Sequence, residues 1–211
     1  MLIRTATVIA LFIWTLSFAA VAQRKPTEGL KTILETHRTV AILPFTYVYD
    51  KSRLPMGMNV EFLIKMEKDE GYRAQRDLYE RMLKKRIRYY VDVQDIQVTN
   101  AMLAKAGVDY ASLHTMDRAA FSDLLGVDGV ITGHVDNTFN PNATWGGAMN
   151  PNAPTKTSVT VDLYDTHGHG SLWKLKAVHT RPQHGYTSGL DKKFVDKILS
   201  KIPYAKLPKQ R

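Results

Sequence analysis

The sequence predicts an α/β domain, a three-layer sandwich with a mixed central β-sheet of about five strands and flanking helices. Short runs rich in β-branched and aliphatic residues, typical of strands, alternate with segments whose apolar residues recur at spacings of three and four, typical of amphipathic helices. Hydrophobic residues make up 44% of the 211 residues, and cysteine is absent. A chain of this size can bury an ordinary core without disulfides, so one domain is expected.

The predicted strands differ in their pattern. Residues 39–45 form an apolar run that contains Pro44, as expected for a short strand covered on both faces. Near the C-terminus, alternating apolar and polar residues flank turn residues 165–170, which predicts a hairpin. The predicted strands are residues 39–45, 93–98, 128–136, 157–165 and 171–180.

Three amphipathic segments are predicted as the helices that cover the sheet. In the first, Leu78 and Met82 belong to an apolar stripe, and the opposite face is charged and mostly basic. In the last, Phe194 and Ile198 belong to a similar stripe. The predicted helices are residues 72–90, 116–125 and 190–201.

Capping residues refine the helix boundaries. Asn59 predicts the start of a short helix that extends to residue 67, Thr99 the start of one that extends to residue 106, and Thr115 the start of the helix before residue 125. Gly107 and Gly126 stand where a helix can end in the left-handed conformation.

The N-terminal residues predict export. Arg4 precedes an uncharged run, residues 5–23, which ends in Ala20, Val21 and Ala22. This pattern is typical of a secretory signal peptide cleaved near Ala22, and the competing interpretation is a retained membrane anchor. A periplasmic or secreted protein is expected, without the cysteine that a bacterial lipoprotein needs for its lipid anchor. The expected parts are a signal peptide (1–22), an N-terminal arm (23–38), one α/β domain (39–204) and a tail (205–211).

The net charge of +9 favours an acidic partner surface, anionic lipid or nucleic acid. Part of the excess lies on the first predicted helix, at Arg81, Lys84, Lys85 and Arg88, where a solvated helix face is the alternative interpretation. Nucleic acid is disfavoured because the neighbouring tyrosines lack a base-stacking framework and an exported protein rarely meets such a target.

No catalytic motif is found in the sequence, so the prediction is a non-enzymatic protein without a cofactor. A nucleophile motif of the G-x-S-x-G type is absent, and the glycines of residues 126–133 follow a helix instead of opening one, which fits a helix cap and close packing. The densest histidine group is His167, His169, His179 and His184. We interpret these as turn histidines, with an envelope-polymer hydrolase that uses histidine or a bound metal as the alternative.

A long segment poor in apolar residues, 137–156, contains asparagines, prolines and Trp145. Such a loop has no folding role of its own, so a binding role is predicted, with Trp145 as the anchor. The alternative is that Trp145 packs on its own domain. The predicted partner-binding residues are Trp145, Arg81, Lys84, Lys85 and Arg88.

Four segments resemble a group of exported Bacteroidetes-type proteins. These are residues 39–45 (TVAILPF), 94–103 (QDIQVTNAML), 124–133 (LLGVDGVITG) and 202–204 (IPY). The group is related to the periplasmic domain of the curli secretion lipoprotein (CsgG-like), to penicillin-binding-protein activator lipoproteins such as LpoB, to GNA-type lipoproteins and to the TolB N-terminal domain. The resemblance implies an α/β domain that docks to a cell-envelope protein or forms a homo-oligomer, with no catalytic residues to carry over.

Overall fold

The structure is a computed structural model that describes residues 28–49, 51, 59–113, 115–118, 120–138, 144–145, 148–149, 154–182, 190 and 192–205. The helices are α1 (Glu28–Thr36), α2 (Val60–Lys84), α3 (Ile96–Lys105), α4 (Ala120–Leu125) and α5 (Lys192–Leu199), with a 3-10 turn at Arg86–Arg88. The strands are β1 (Thr39–Ile42), β2 (Thr46–Tyr49), β3 (Asp92–Val93), β4 (Gly129–Thr138), β5 (Thr144–Trp145), β6 (Ala148–Met149), β7 (Pro154–Asp165) and β8 (Gly170–Pro182). Among the described helices, none combines the length and the apolar character that a membrane crossing requires.

The main sheet is mixed and has the strand order β3-β1-β4-β7-β8. Strands β1 and β2 follow one another along the same edge of β4, both parallel to it, and β1 is also parallel to β3. Strand β7 is antiparallel to both β4 and β8. A mixed sheet with flanking helices confirms the predicted α/β class, although the two segments β1 and β2 raise the strand number to six.

Two hydrophobic clusters lie on opposite faces of the sheet. The larger contains residues of α2 and α5 with the alternate β7 residues Val159, Val161 and Leu163, which are almost completely buried. The smaller contains residues of α3 and α4 packed on Ala41 and Val130. Apolar burial on both faces is the main stabilisation of a sheet of this kind.

Phe45 interrupts the strand that begins at Thr39, and two glycines make room for it. Its backbone N–H donates to the carbonyl oxygen of Gly71 in the middle of α2 at 3.1 Å. A Cβ on Gly71 would lie 2.2 Å from the Phe45 carbonyl oxygen, and a Cβ on Gly133 of β4 would lie 2.1 Å from the Phe45 ring. Both positions therefore require glycine, and the close packing predicted for Gly133 is confirmed.

Gly71 also explains why the predicted helices 59–67 and 72–90 are one helix, α2. Asn59 is its N-cap as predicted, because its side-chain oxygen accepts from the Phe62 backbone N–H at 2.7 Å. Glycine in a sequence pattern favours a break, but here the packing against Phe45 outweighs its unfavourable helix propensity.

The predicted strand 93–98 is wrong beyond Val93. Strand β3 ends there, and α3 begins at Ile96 with Asp95 as the N-cap, which accepts from the Gln97 backbone N–H at 2.7 Å. Thr99, predicted as the cap, lies inside α3, where its hydroxyl donates to Gln94 Oε1 at 2.8 Å. The alternation of apolar and polar residues indicated a strand here, but the N-cap formed by Asp95 starts a helix within the same segment.

Other predicted elements agree with the structure, with changed boundaries. The β7–β8 hairpin turns at residues 166–169, and Gly107 and Gly126 have positive φ angles of 71° and 61°. Helix α4 begins at Ala120, later than predicted. Helix α1 lies in the segment predicted as an arm, and its Leu34 is buried in the larger cluster.

Substituting Gly71 with alanine tests the packing against Phe45. Alanine normally favours a helix interior over glycine by about 1 kcal/mol, but the new methyl group would displace the Phe45 backbone, and overpacking costs about 1–3 kcal/mol. We expect Gly71→Ala to lower the free energy of unfolding, measured by urea denaturation. Gly29→Ala in α1 is the matched control, because a Cβ there meets nothing within 4 Å. Equal stability of the two variants would contradict the proposed constraint.

Candidate functional site

Two of the four basic residues predicted on the helix 72–90 form ion pairs within the fold. Arg81 Nε and Lys85 Nζ lie 2.8 Å and 2.5 Å from Asp196 Oδ1 of α5, and Arg81 Nη2 lies 2.5 Å from Asp196 Oδ2. The Arg81 guanidinium, followed by the Lys85 ammonium, holds the pKa of Asp196 well below its ordinary value. Arg81 and Lys85 thus connect α2 to α5.

The other two, Lys84 and Arg88, are exposed at the end of α2. Lys84 Nζ lies 3.9 Å from Glu80, with both side chains more than half exposed. Beyond it, Arg86 and Arg88 form no ion pair with the described residues, and Ile87 between them is 81% exposed. We call Lys84, Arg86, Ile87 and Arg88 the basic tip. Leu83 and Tyr90, which adjoin it, are also partly exposed, so the surface combines cations with apolar area.

Trp145 lies in a small two-stranded sheet, β5–β6, in which it pairs with Ala148. The insertion that contains it is shorter than predicted, because β4 and β7 remain paired as far as Thr138 and Lys156. Most of the remaining insertion lies outside the described residues. The binding role of Trp145 stays a prediction.

The structure brings together only part of the predicted histidine group. His167 and His169 lie in the β7–β8 turn with side chains that are 59% and 52% exposed. His179 pairs with Thr157 far along β8, roughly 30 Å from the turn at about 3.3 Å per residue. His184 lies outside the described residues. The four-histidine arrangement is therefore not formed, because His179 is at the other end of the hairpin.

The carboxylate of Asp165, and not a group of four histidines, makes the hydrogen bonds that hold the turn. Its Oδ1 accepts from His37 Nε2 at 2.8 Å, and its Oδ2 accepts from the backbone N–H groups of His167 and His169 at 2.8 and 3.0 Å. His169 Nδ1 lies 2.8 Å from the same Oδ2. Burial would raise the pKa of Asp165, but the hydrogen bonds from His169 and His37 outweigh it and lower the pKa to about 2.

His37 links this carboxylate to Tyr204 near the end of the domain. Its Nδ1 lies 2.6 Å from the Tyr204 hydroxyl oxygen, and burial raises the pKa of that hydroxyl, so the hydroxyl keeps its proton. The consistent assignment is that Tyr204 donates to Nδ1 and His37 Nε2–H donates to Asp165. We call His37, Asp165, His167, His169 and Tyr204 the histidine–aspartate cluster.

The buried part of this cluster has the connectivity of a hydroxyl–imidazole–carboxylate relay. Its hydroxyl is inaccessible, because Tyr204 is fully buried and His37 and Asp165 are only 2% and 4% exposed. A nucleophile must reach its substrate, so this arrangement serves packing and hydrogen bonding. Sequence reasoning missed His37 because its partners are 128 and 167 positions away.

A shallow depression of about 410 Å³, including its open mouth, lies on the opposite face of the sheet. Pro44, Arg118, His134 and Tyr164 are among its lining residues. His134 Nε2 is bonded to Asp136 at 3.0 Å, and both side chains are about half exposed. Among the described lining residues, no hydroxyl is connected to this imidazole, so the depression contains no second relay.

Several solved structures resemble the chain. Lipoprotein GNA1162 from Neisseria meningitidis has 12% identity and a TM-score of 0.45 over 77% of this chain and 93% of that one. PelC from Paraburkholderia phytofirmans, solved as a dodecamer, has 12% identity and a TM-score of 0.44 over 81% and 90%. The LpoB C-terminal domain from Escherichia coli has 9% identity and a TM-score of 0.39 over 72% and 93%. At these TM-scores the likeness carries no information about function.

No family model matches the chain, and no curated protein matches it at a significant level. The resemblance found in the sequence to GNA-type and LpoB lipoproteins therefore stays a prediction, as do its Bacteroidetes-type and curli parts.

Removing the Asp165 carboxylate tests its role in the fold. Asp165→Ala would leave the buried His37 and two partly buried backbone N–H groups without their acceptor, and the loss of these hydrogen bonds costs about 3 kcal/mol in total. We expect a loss of that order in the free energy of unfolding, measured by urea denaturation. Asp136→Ala removes a carboxylate from an exposed histidine pair, so it should change stability by less than about 0.5 kcal/mol. A small effect of both substitutions would contradict the buried role of Asp165.

Proposed function

We propose that the protein is a non-enzymatic accessory module of the cell envelope that binds a partner protein through the basic tip. The observation that carries the proposal is the exposure of Ile87 between Arg86 and Arg88, just beyond the end of α2, whereas the nearby Arg81 and Lys85 are paired with Asp196. An exposed aliphatic side chain surrounded by cations is suited to an acidic partner surface with an apolar centre.

The apolar and charged parts of the tip have different effects on binding. Exposed cations accelerate association and add little affinity, because exposed ion pairs contribute about 0–1 kcal/mol. Burial of an isoleucine side chain contributes about 1.5–3 kcal/mol. Ile87 is therefore the proposed anchor, while Lys84, Arg86 and Arg88 select an acidic partner. Arg81 and Lys85, predicted as binding residues from the sequence, both pair with the single Asp196 carboxylate within the fold.

Trp145 is a second proposed anchor. A tryptophan in a polar insertion offers a large contact area, and such residues are frequent hot spots of interfaces. A homo-oligomer remains a further proposal for the partner, since the resemblance found in the sequence implies either docking or ring formation.

Quantitative capture of the partner tests both anchors. The partner is first identified by crosslinking in intact cells, and its affinity is then measured for Ile87→Ser, for the double variant Arg86→Glu/Arg88→Glu and for Trp145→Ala. We expect Ile87→Ser and Trp145→Ala each to weaken binding by about 2 kcal/mol, as for a hot spot, and the double variant to slow association in a salt-dependent way.

The matched control for charge reversal is Lys105→Glu/Lys176→Glu, which makes the same charge change at exposed positions of α3 and β8. An equal slowing of association in this control would show that only net charge matters and would contradict a site at the basic tip. A fall in melting temperature for Trp145→Ala with unchanged capture would assign that residue to the domain's own packing.

Export is part of the same proposal. The signal pattern of residues 1–22 supports cleavage near Ala22, which would place the module in the periplasm or outside the cell. We expect mass spectrometry of the exported protein to give an N-terminus at or close to Gln23. Recovery of the uncleaved chain in carbonate-washed membranes would instead support a retained anchor.

A further inference from the structure

Three side chains with metal-binding chemistry converge beneath the β7–β8 turn: His37, Asp165 and His167. Each offers one ligand atom, and these atoms all lie within 4.8 Å of one another. Asp165 Oδ1 is 2.8 Å from His37 Nε2 and 3.6 Å from His167 Nδ1. Ligand atoms around one tetrahedral zinc ion are about 3.3 Å apart, given bond lengths of about 2.0–2.2 Å. Small side-chain rotations would therefore bring the three atoms to bonding distance from one ion.

We propose that His37, Asp165 and His167 form a binding site for a divalent transition-metal ion of the zinc class. Two imidazoles and one carboxylate are a ligand set that suits zinc, nickel or copper, whereas calcium and magnesium prefer oxygen ligands alone. This site is independent of the basic tip and of the proposed partner.

The surroundings of the three ligands support this assignment. Metal-binding histidines ordinarily hold their other ring nitrogen in a hydrogen bond, which fixes the tautomer and the ring orientation. His37 Nδ1 meets this condition, since it lies 2.6 Å from the Tyr204 hydroxyl, whereas His167 Nε2 lies 3.9 Å from Asp128 Oδ1, beyond hydrogen-bond distance. Asp165 Oδ2 is held by the two turn N–H groups, which leaves Oδ1 for the ion.

Binding requires a change of tautomer at His37 and no change of its charge. In the metal-free arrangement Nδ1 accepts from Tyr204 and Nε2–H donates to Asp165. With an ion on Nε2, the ring proton lies on Nδ1 and donates to the Tyr204 oxygen, which can accept because a hydroxyl has both capacities. The pair therefore stays hydrogen-bonded in both states.

The turn provides a route from solvent to the buried ligands. His167 is 59% exposed, and Gly168 and Gly170 have positive φ angles of 98° and 73°, which allow the tight turn that folds His167 back over Asp165. Three protein ligands leave a fourth position for water or for the neighbouring His169. A bound ion would join the end of α1 to the hairpin and so stabilise the folded state.

Calorimetric titration of the tag-free protein with zinc chloride tests the proposal, because a polyhistidine tag would bind the same ions. We expect one ion per chain in the wild type and at least a tenfold loss of affinity in His167→Ala. His134→Ala is the matched control, since His134 is about half exposed and also paired with an aspartate, but forms no three-ligand group with the residues that the structure describes. It should bind zinc like the wild type.

Two further readouts keep the test decisive. At the same zinc concentration, the melting temperature of the wild type and of His134→Ala should rise by clearly more than that of His167→Ala. Bound zinc should also move the imidazole nitrogen-15 resonances of His37 and His167 and leave those of His134 unchanged, a measurement that requires no substitution at buried His37. Absence of zinc binding by the wild type, or equal binding by wild type and His167→Ala, would overturn the site.

Discussion

The placement of two buried rings on β4 determines how the rest of the domain is arranged. Gly129 and Gly133 lie four residues apart on the same face of this central strand. Gly133 admits the Phe45 ring, and Gly129 admits the Tyr204 hydroxyl, which would lie 2.8 Å from a Cβ at that position. Phe45 in turn brings the backbone of α2 close to the sheet through its hydrogen bond to Gly71. The absence of side chains at these glycines thus sets the distance between the sheet and its helical layer.

The position of α2 then determines which of its cations are available at the surface. The turn of α2 that faces α5 places Arg81 and Lys85 on Asp196, while the end of the helix projects Lys84 and the following Arg86–Arg88 turn into solvent. The cations of this region therefore have two roles: Arg81 and Lys85 hold α2 against α5, and the others are available for binding at the surface. The position of each residue on the helix determines which role it has. The same holds for the histidines, because His37 and His169 contact the Asp165 carboxylate while His134 pairs with Asp136 on β4.

Sequence patterns predicted correctly the elements that depend only on residues close together in the chain. The alternation of Val159, Val161 and Leu163 predicted β7, and the glycine at position 126 predicted a helix end, because burial periodicity and left-handed φ are properties of a short segment. Gly71 and the Arg81–Asp196 pair could not be interpreted correctly from sequence, since their meaning depends on residues far along the chain. The pair joins positions separated by 115 residues.

The contact between His37 and Tyr204 has a consequence for the order of folding. It spans 167 positions and joins the first described helix region to the last described segment. During synthesis the N-terminal part of the chain emerges first, and neither His37 nor the pair of Arg81 and Lys85 can acquire its native partner until the last residues have followed. Contacts of such long range form slowly and leave intermediates with exposed apolar surface. A chain truncated before Asp196 would lack both the His37–Tyr204 contact and the ion pairs of Asp196, and would be exposed to proteolysis.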